Sequence, residues 1–188
     1  MPNSTPGVAP CELPACRAWP ARKRWEALSA LPPARWYGAE PAWQVALEAS
    51  ARRAYPGQLT YTLAPGLLTY RIELDVIGRI DPVPITIWFW ANPPYDCYGL
   101  GPPDYPRVHA EPGAASPHRM PGDNALCLWY PADPTTRRWT ADKGLLDLLD
   151  IIAEHLLYEQ YWQATGGEHG GIWAGDEAEH GFTTQGAA

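Results

Sequence analysis

The stretch Thr69-Tyr70-Arg71-Ile72-Glu73-Leu74-Asp75-Val76 carries the strongest secondary-structure signal in the chain. Apolar residues at positions 70, 72, 74 and 76 alternate with polar residues at 69, 71, 73 and 75. Because successive side chains of a strand point to opposite faces, this alternation predicts a strand with one buried face and one solvated face. A strand of this kind is typical of an antiparallel sheet that is covered on one side.

Two further strands are predicted beside it. Leu59 to Leu63 stand just before the turn dipeptide Pro65-Gly66 and are expected to be the hairpin partner. Ile85 to Trp90 follow the break Asp81-Pro82-Val83-Pro84 and predict a third strand. We therefore expect an antiparallel meander.

Helical spacing occurs on both sides of this meander. From Pro41 to Ala54, a proline suited to the first helical turn precedes apolar positions at three- and four-residue spacing. Thr140 is the expected N-cap of a second helix. Its apolar stripe, expected to cover the sheet, is made of Leu145, Leu148, Leu149, Ile152 and Leu156. A helix, a meander and a second helix together predict an α+β fold.

Prolines dominate the stretch between Asn92 and Pro121. They stand at positions 93, 94, 102, 103, 106, 112, 117 and 121, too many for a helix or a central strand. We expect a long ordered loop there, and a loop of this length inside a compact domain usually has a function.

The ends of the chain differ in composition from its middle. Residues 1–38 form a proline-rich extension, and residues 39–164 are predicted to be the folded domain. Residues 165–188 form a glycine-rich tail, which we expect to be partly loose, with Trp173 as its one large anchor.

The bulk composition limits the class of partner. The chain has 188 residues, 46% of them hydrophobic, and a formal net charge of −7, so one domain with an ordinary core is expected. An acidic chain argues against nucleic acid or an anionic membrane as the main partner, because both favour basic patches. We expect a protein partner. No apolar run approaches the ~20 residues of a membrane span, and the first ten residues lack the order of a signal peptide, so a cytoplasmic location is expected.

The four cysteines form no Cys-x-x-Cys pair, and in a reducing compartment they would stay thiols. Cys11 and Cys16 lack a second pair or a histidine at ligand spacing, so no metal site is expected. Cys97, in a Pro-Tyr-Asp-Cys-Tyr loop, is most simply a spectator. The fourth cysteine is Cys127, in a Leu-Cys-Leu tripeptide.

The segment His118-Arg119-Met120-Pro121-Gly122-Asp123-Asn124-Ala125-Leu126-Cys127-Leu128 places this cysteine after a histidine and a turn-rich loop. The proline-rich run from Tyr95 to Val108 precedes it, and Trp139-Thr140 with a long helix follows. In this order the residues resemble the active-site region of ubiquitin-conjugating enzymes, over roughly residues 41–162. The resemblance is closer to the divergent bacterial members found beside cyclic-oligonucleotide synthases in antiphage defence (CBASS-type) operons.

This resemblance implies a UBC-like fold for residues 39–164 and makes Cys127 the nucleophile that carries a protein C-terminus as a thioester and passes it to a lysine. A thiol suits both steps, because a thiolate is a strong nucleophile and a thioester remains reactive toward amines. The implied partner is a ubiquitin-like protein or a nucleotidyltransferase of the cyclic-oligonucleotide (cGAS-like) class. A separate activating enzyme is a further possible partner, since the chain has no Gly-rich nucleotide loop after a strand. No cofactor is expected.

The chain departs from the family's His-Pro-Asn motif. His118 matches the first position, but Arg119 and Met120 stand where proline and asparagine would. Asn124, Arg119 and backbone N–H groups are the candidate substitutes for the usual oxyanion donor. Asn124 occupies a position where relatives often have glycine, and asparagine tolerates positive φ, so a backbone role is open beside the catalytic one.

Simpler interpretations stand beside these. A Leu-Cys-Leu tripeptide is often a buried strand end, since free cysteine is among the most buried residue types. His118 is more simply a loop residue bonded to backbone than a general base, and the tail histidines His169 and His180 are most simply solvated.

Three functions from different classes remain. The first, which we favour, is the conjugating enzyme. The second is a non-catalytic adaptor or protein-binding module of the same fold, against which the retained Cys127 argues. The third is an unrelated cysteine hydrolase that pairs Cys127 with His118 or His109, which would need a base oriented by a third group.

Overall fold

A computed structural model describes residues 37–175 of the protein, and the predictions made for residues 1–36 and 176–188 lie outside the described residues. Two α-helices are described, α1 (Pro41–Ala54) and α2 (Leu145–Ala164). The strands are β1 (Thr60–Ala64), β2 (Leu67–Leu74), β3 (Val83–Trp90) and β4 (Arg107–Ala110). Short 3-10 turns occur at Tyr37–Ala39, Pro102–Asp104, Ala141–Lys143 and Gly167–His169. This is an α+β fold, as predicted.

The four strands form one antiparallel sheet in the order β1-β2-β3-β4, which confirms the predicted meander. Tyr70 of β2 lies opposite Tyr61 of β1 on one side and Ile87 of β3 on the other. The β1–β2 turn contains Gly66 at φ +71°, a conformation that glycine adopts without the steric cost of a Cβ.

The proline-rich stretch contains a strand that the sequence analysis did not predict. β4 pairs with β3, and His109 lies opposite Thr86. The prolines do not prevent this strand, because Pro106 stands just before it and β4 is the last strand in the sheet order. Proline is tolerated at strand starts and at sheet edges, so the prediction of an unbroken loop was wrong at these four residues.

The hydrophobic core lies between the sheet and the two helices. The inner face of the sheet contributes Leu68, Tyr70, Ile72, Leu74, Ile85, Ile87 and Phe89, all buried. The predicted stripe of α2 joins the same cluster, and Leu145, Leu148, Leu149, Ile152 and Leu156 are fully buried. The prediction that this helix covers the sheet is therefore confirmed. Trp139 is also fully buried, and its Nε1 donates to Gly144 O at 2.8 Å.

The beginning of α2 differs from the prediction. Thr140 precedes a 3-10 turn, and its side chain makes no capping hydrogen bond to the backbone. The α-helix begins only at Leu145, after Gly144 at φ +87°. A Cβ on Gly144 would lie 3.4 Å from Leu47 O of α1, which is an ordinary contact, so glycine is favoured here by its positive φ. Within residues 37–175, no helix combines the length and the apolar character that crossing a membrane requires.

Candidate functional site

A tight hairpin brings His118 beside Cys127. Arg119 and Leu126 form an antiparallel bridge, and Cys127 N donates to His118 O at 2.9 Å. At the hairpin tip, Met120 N donates to Ala125 O at 2.7 Å. His118 and Cys127, nine positions apart in the sequence, are thus in direct backbone contact.

The hairpin is attached to the edge of the sheet. Leu126 N donates to Val108 O of β4 at 2.8 Å, and the Leu126 side chain belongs to the main core. Cys127 instead packs in a small separate cluster with Met120 and Ala125. Both residues are buried, as the simpler interpretation of the tripeptide predicts, but they pack in different clusters.

Cys127 lines a cleft of about 420 Å³, which lies within the roughly 300–1,000 Å³ range of ligand sites in proteins. The walls come from the hairpin, the segment before α2, the helix α2 and the segment after it. The ionisable and aromatic residues that share the cleft with Cys127 include His118, Arg137, Arg138, His155, Tyr158 and Trp173.

The Cys127 side chain is largely enclosed, because only 8% of the residue's surface is exposed. Burial raises the pKa of its thiol, and the positive charge of Arg107 acts in the opposite direction but does not outweigh it. A pKa above the ordinary cysteine value of about 8.5 keeps the thiol almost fully protonated at neutral pH. Chemistry at this sulfur therefore needs a group that can accept a proton.

Arg107 is a buried cation that the sequence analysis missed. Its guanidinium lies 4.0 Å from the ring centroid of Tyr95 and 5.4 Å from that of Tyr105. Its Nε is 3.1 Å from Asp123 Oδ2, and Arg107 shares a small second pocket with Cys127. Arg107 stands in a stretch that was predicted to be loop, so the sequence alone did not indicate that it would be held in place.

The hydrogen bonds of the Arg119 guanidinium argue against a role as oxyanion donor. Its Nε and Nη2 donate to the two carboxylate oxygens of Glu159, each at 2.6 Å, and its Nη1 donates to Ala110 O at 2.6 Å. Arg119 and Glu159 are both buried. The ion pair connects the hairpin to α2, so Arg119 has a structural role.

Glu159 also approaches a histidine one turn earlier on α2. His155 Nε2 lies 3.7 Å from Glu159 Oε1, and His155 lines the cleft. Burial alone would raise the pKa of the Glu159 carboxyl, but His155 and Arg119 overcome this and lower it to about 2. Sequence analysis missed both residues, although their i,i+4 spacing places them on one helix face.

His118 contributes both its backbone and its ring to the site. Its N donates to Ser116 Oγ at 3.2 Å, and its carbonyl accepts the bond from Cys127, as expected for a structural loop residue. Its ring lines the cleft, with the ring centroid 4.0 Å from that of Trp173 and 6.4 Å from that of His155.

Asn124 adopts φ +56°, the conformation for which its backbone role was expected. Its Oδ1 accepts from Gly113 N at 3.0 Å, and its Nδ2 donates to Ala114 O at 3.4 Å. The side chain therefore joins the hairpin to the loop after β4, while the cleft walls do not include it.

The other two sequence candidates lie outside the cleft. His109 is on β4, its ring centroid is 4.3 Å from that of Trp88, and burial lowers its pKa. Cys97 is half-buried, and burial raises its pKa. Neither lines the cleft. Among residues 37–175, no group of three or more His, Cys, Asp and Glu side chains is arranged to hold a metal ion.

No protein-family model, no curated protein and no solved structure matches the chain.

Proposed function

We propose that the chain is a ubiquitin-conjugating-like acyltransferase that carries a protein C-terminus as a thioester on Cys127 and transfers it to a lysine. The observation that carries this proposal is the position of Cys127 in the wall of a 420 Å³ cleft, at the end of a hairpin held between β4 and α2. A cysteine held in this way can present an acyl group to a second molecule that enters the cleft.

The order of elements supports a UBC-like domain as the scaffold. A helix, a four-stranded meander, the loop with the cysteine and a long helix follow one another along the chain, as the sequence resemblance implies. Trp139, which the resemblance places after the active site, is fully buried and packs at 6.1 Å from the Phe89 ring. It holds the segment that follows Cys127 against the sheet.

The proposed reaction has two acyl transfers. In the first, a bond forms between the Cys127 sulfur and the donor carbonyl carbon, and the donor's leaving group departs with a proton. In the second, a lysine nitrogen attacks that carbon, the C–S bond breaks and an amide forms. Both steps pass through an oxyanion, which a nearby positive charge stabilises. Arg107 supplies such a charge beside Cys127.

The proposed acyl donor is a protein with a reactive C-terminus, either a ubiquitin-like protein or a nucleotidyltransferase of the cyclic-oligonucleotide class. A separate activating enzyme would then form the acyl group. By the same resemblance, the proposed setting is bacterial antiviral defence in the cytoplasm. The acidic net charge of −7 fits a protein partner better than nucleic acid.

A cysteine hydrolase is the second candidate, and one specific observation favours it. His155 lies in the cleft with Cys127 and has a carboxylate, Glu159, at 3.7 Å, which is the base with an orienting third group that such an enzyme needs. The sequence by itself points to His118 or His109 as the base of such an enzyme. In a hydrolase, water would take the acyl group instead of an amine.

The test is intact-mass analysis of the protein after co-purification with each candidate partner. We expect an adduct that DTT removes, that is lost in Cys127→Ala and that becomes DTT-resistant in Cys127→Ser. Cys97→Ala is the matched control, because Cys97 lies outside the cleft, and it should keep the adduct. An adduct on Cys127→Ala would contradict the assignment. Partner binding without an adduct on the wild-type protein would favour the adaptor.

A further inference from the structure

His155 is a buried histidine for which the sequence alone predicted no role. Only 6% of its surface is exposed, yet it lines the same cleft as Cys127. Its Nε2 has no hydrogen-bond partner among the described residues. Leaving a buried polar atom without such a partner costs free energy, so the position of this nitrogen in the cleft wall calls for an explanation.

The neighbouring Glu159 carboxylate is placed to orient the imidazole ring of His155. Glu159 Oε1 lies 3.7 Å from Nε2, and Arg119 holds the Glu159 carboxylate through two bonds of 2.6 Å. A carboxylate beside one ring nitrogen favours the proton on that nitrogen. The tautomer with hydrogen on Nε2 leaves Nδ1 as the nitrogen that can accept a second proton.

The proposed acyl transfer needs a proton acceptor of this kind. An attacking lysine must lose a proton before the amide is complete, and the Cys127 thiol is itself protonated at neutral pH. The cleft contains two histidines, His118 and His155. His155 has the Glu159 carboxylate 3.7 Å from its Nε2, a group that can orient its ring.

We propose that His155 is the general base of the Cys127 cleft, with Glu159 and Arg119 as its positioning residues. This inference rests on the proposed function. The lysine nitrogen bonds to the thioester carbonyl carbon, and His155 accepts the proton that this nitrogen releases. The C–S bond then breaks, the electron pair returns to the Cys127 sulfur, and that sulfur takes a proton from the imidazolium. One thioester and one amine become one amide and one thiol.

The experiment separates loading of Cys127 from release. The full chain is charged with a small probe, the mercaptoethanesulfonate thioester of acetyl-glycyl-glycine, and loading is followed by intact mass. Free lysine is then added, and the rate of release is measured for wild type, His155→Gln and His155→Ala. His169→Gln is the matched control, since His169 is exposed and outside the cleft.

With excess probe we expect the wild type and all variants to become loaded, the His155 variants more slowly, because the Cys127 thiol must also lose a proton. Release should be slower in both His155 variants by about 10²-fold, the lower end of what general acid–base groups contribute, and unchanged in His169→Gln. Added imidazole should restore release in His155→Ala, because the substitution leaves an imidazole-sized space in the cleft wall. Ring-substituted imidazoles fill the same space with different basicity, so for a general base the rescued rate should follow their basicity.

Three results would overturn the proposal. Wild-type release in His155→Gln, or a slow His155→Ala that imidazole does not restore, would exclude His155 as the base and leave the proposed function intact. A wild-type protein that the probe does not charge at Cys127, while it alkylates normally with iodoacetamide, would overturn the proposed function and the role of His155 with it.

Discussion

The indole of Trp173 lies against the imidazole of His118, with ring centroids 4.0 Å apart and ring planes inclined by 32°. Trp173 also packs on α2, at 5.3 Å from the His155 ring and 5.9 Å from the Tyr158 ring. Gly175 fits closely here, because a Cβ on it would lie 2.8 Å from the Tyr158 ring. The chain after α2 therefore returns to form one wall of the cleft that contains Cys127.

Removing this wall should expose the thiol. In Trp173→Ala, we expect Cys127 to react several-fold faster with iodoacetamide, measured by peptide mass spectrometry so that Cys97 is scored separately. The melting temperature should change little, since Trp173 is only partly buried. Trp88→Ala, on the outer side of the sheet, is the control. Equal alkylation rates in wild type and Trp173→Ala would show that the indole does not limit access.

Breaking the buried ion pair should destabilise the fold strongly. Arg119 and Glu159 are both buried, so Glu159→Gln or Arg119→Met leaves an unpaired group and should cost about 3–5 kcal/mol in urea unfolding. The double variant Arg119→Met with Glu159→Leu should recover much of this loss, because it removes both charges. A cost below about 1 kcal/mol in each single variant, as for surface pairs, would contradict the burial of the pair.

The Glu159 carboxylate should make the free energy of unfolding depend on pH in the acid range. The pKa of Glu159 falls from 4.5 to about 2 on folding, so its contribution is present above pH 4.5 and is lost as the pH falls toward 2. The urea midpoint of the wild type should therefore drop across this window, and Glu159→Gln should show a smaller drop. Glu154→Gln, an exposed neighbour on α2, should retain the wild-type slope. Parallel slopes in all three proteins would refute the prediction.

Asn124 is expected to act through the backbone. Asn124→Gly can still adopt φ +56° but loses the side-chain hydrogen bonds to Gly113 and Ala114. Asn124→Ala loses these hydrogen bonds and is also strained at that φ. We expect Asn124→Ala to be the less stable by about 1 kcal/mol and Asn124→Gly to retain release of a preformed thioester to lysine. If the side chain donated to the oxyanion, release would fall ~10²–10³-fold in both. A defect of that size in Asn124→Gly, with unchanged stability, would identify Asn124 as the oxyanion donor.

The remaining thiols should be dispensable. Cys97 lies outside the cleft, and Cys11 and Cys16 belong to the part of the chain that the structure does not describe. A variant with alanine at all three positions should load and release the acyl group at the wild-type rate in the intact-mass assay. Loss of loading without loss of stability would move the nucleophile away from Cys127, first to Cys97.

Local patterns in the chain predicted most of the scaffold. The bounds of α1, Pro41–Ala54, agree with the predicted range, and the alternation around Tyr70 identified β2 correctly. These signals are readable because each depends on residues only two to four positions apart. The same locality predicted that Asn124 tolerates positive φ, and the segment His118 to Cys127 folds as one hairpin.

Tertiary structure alone decided the rest. β4 exists because β3 offers it a pairing edge, and four residues after a proline carry no such signal by themselves. Arg119 and Glu159 are 40 positions apart, and His155 enters the cleft only because α2 packs beside the hairpin. The sequence determined which thiol stands at the end of the hairpin, since that relationship is local. Which base and which cation surround the thiol depended on contacts between distant segments, and these contacts form only when the core excludes water.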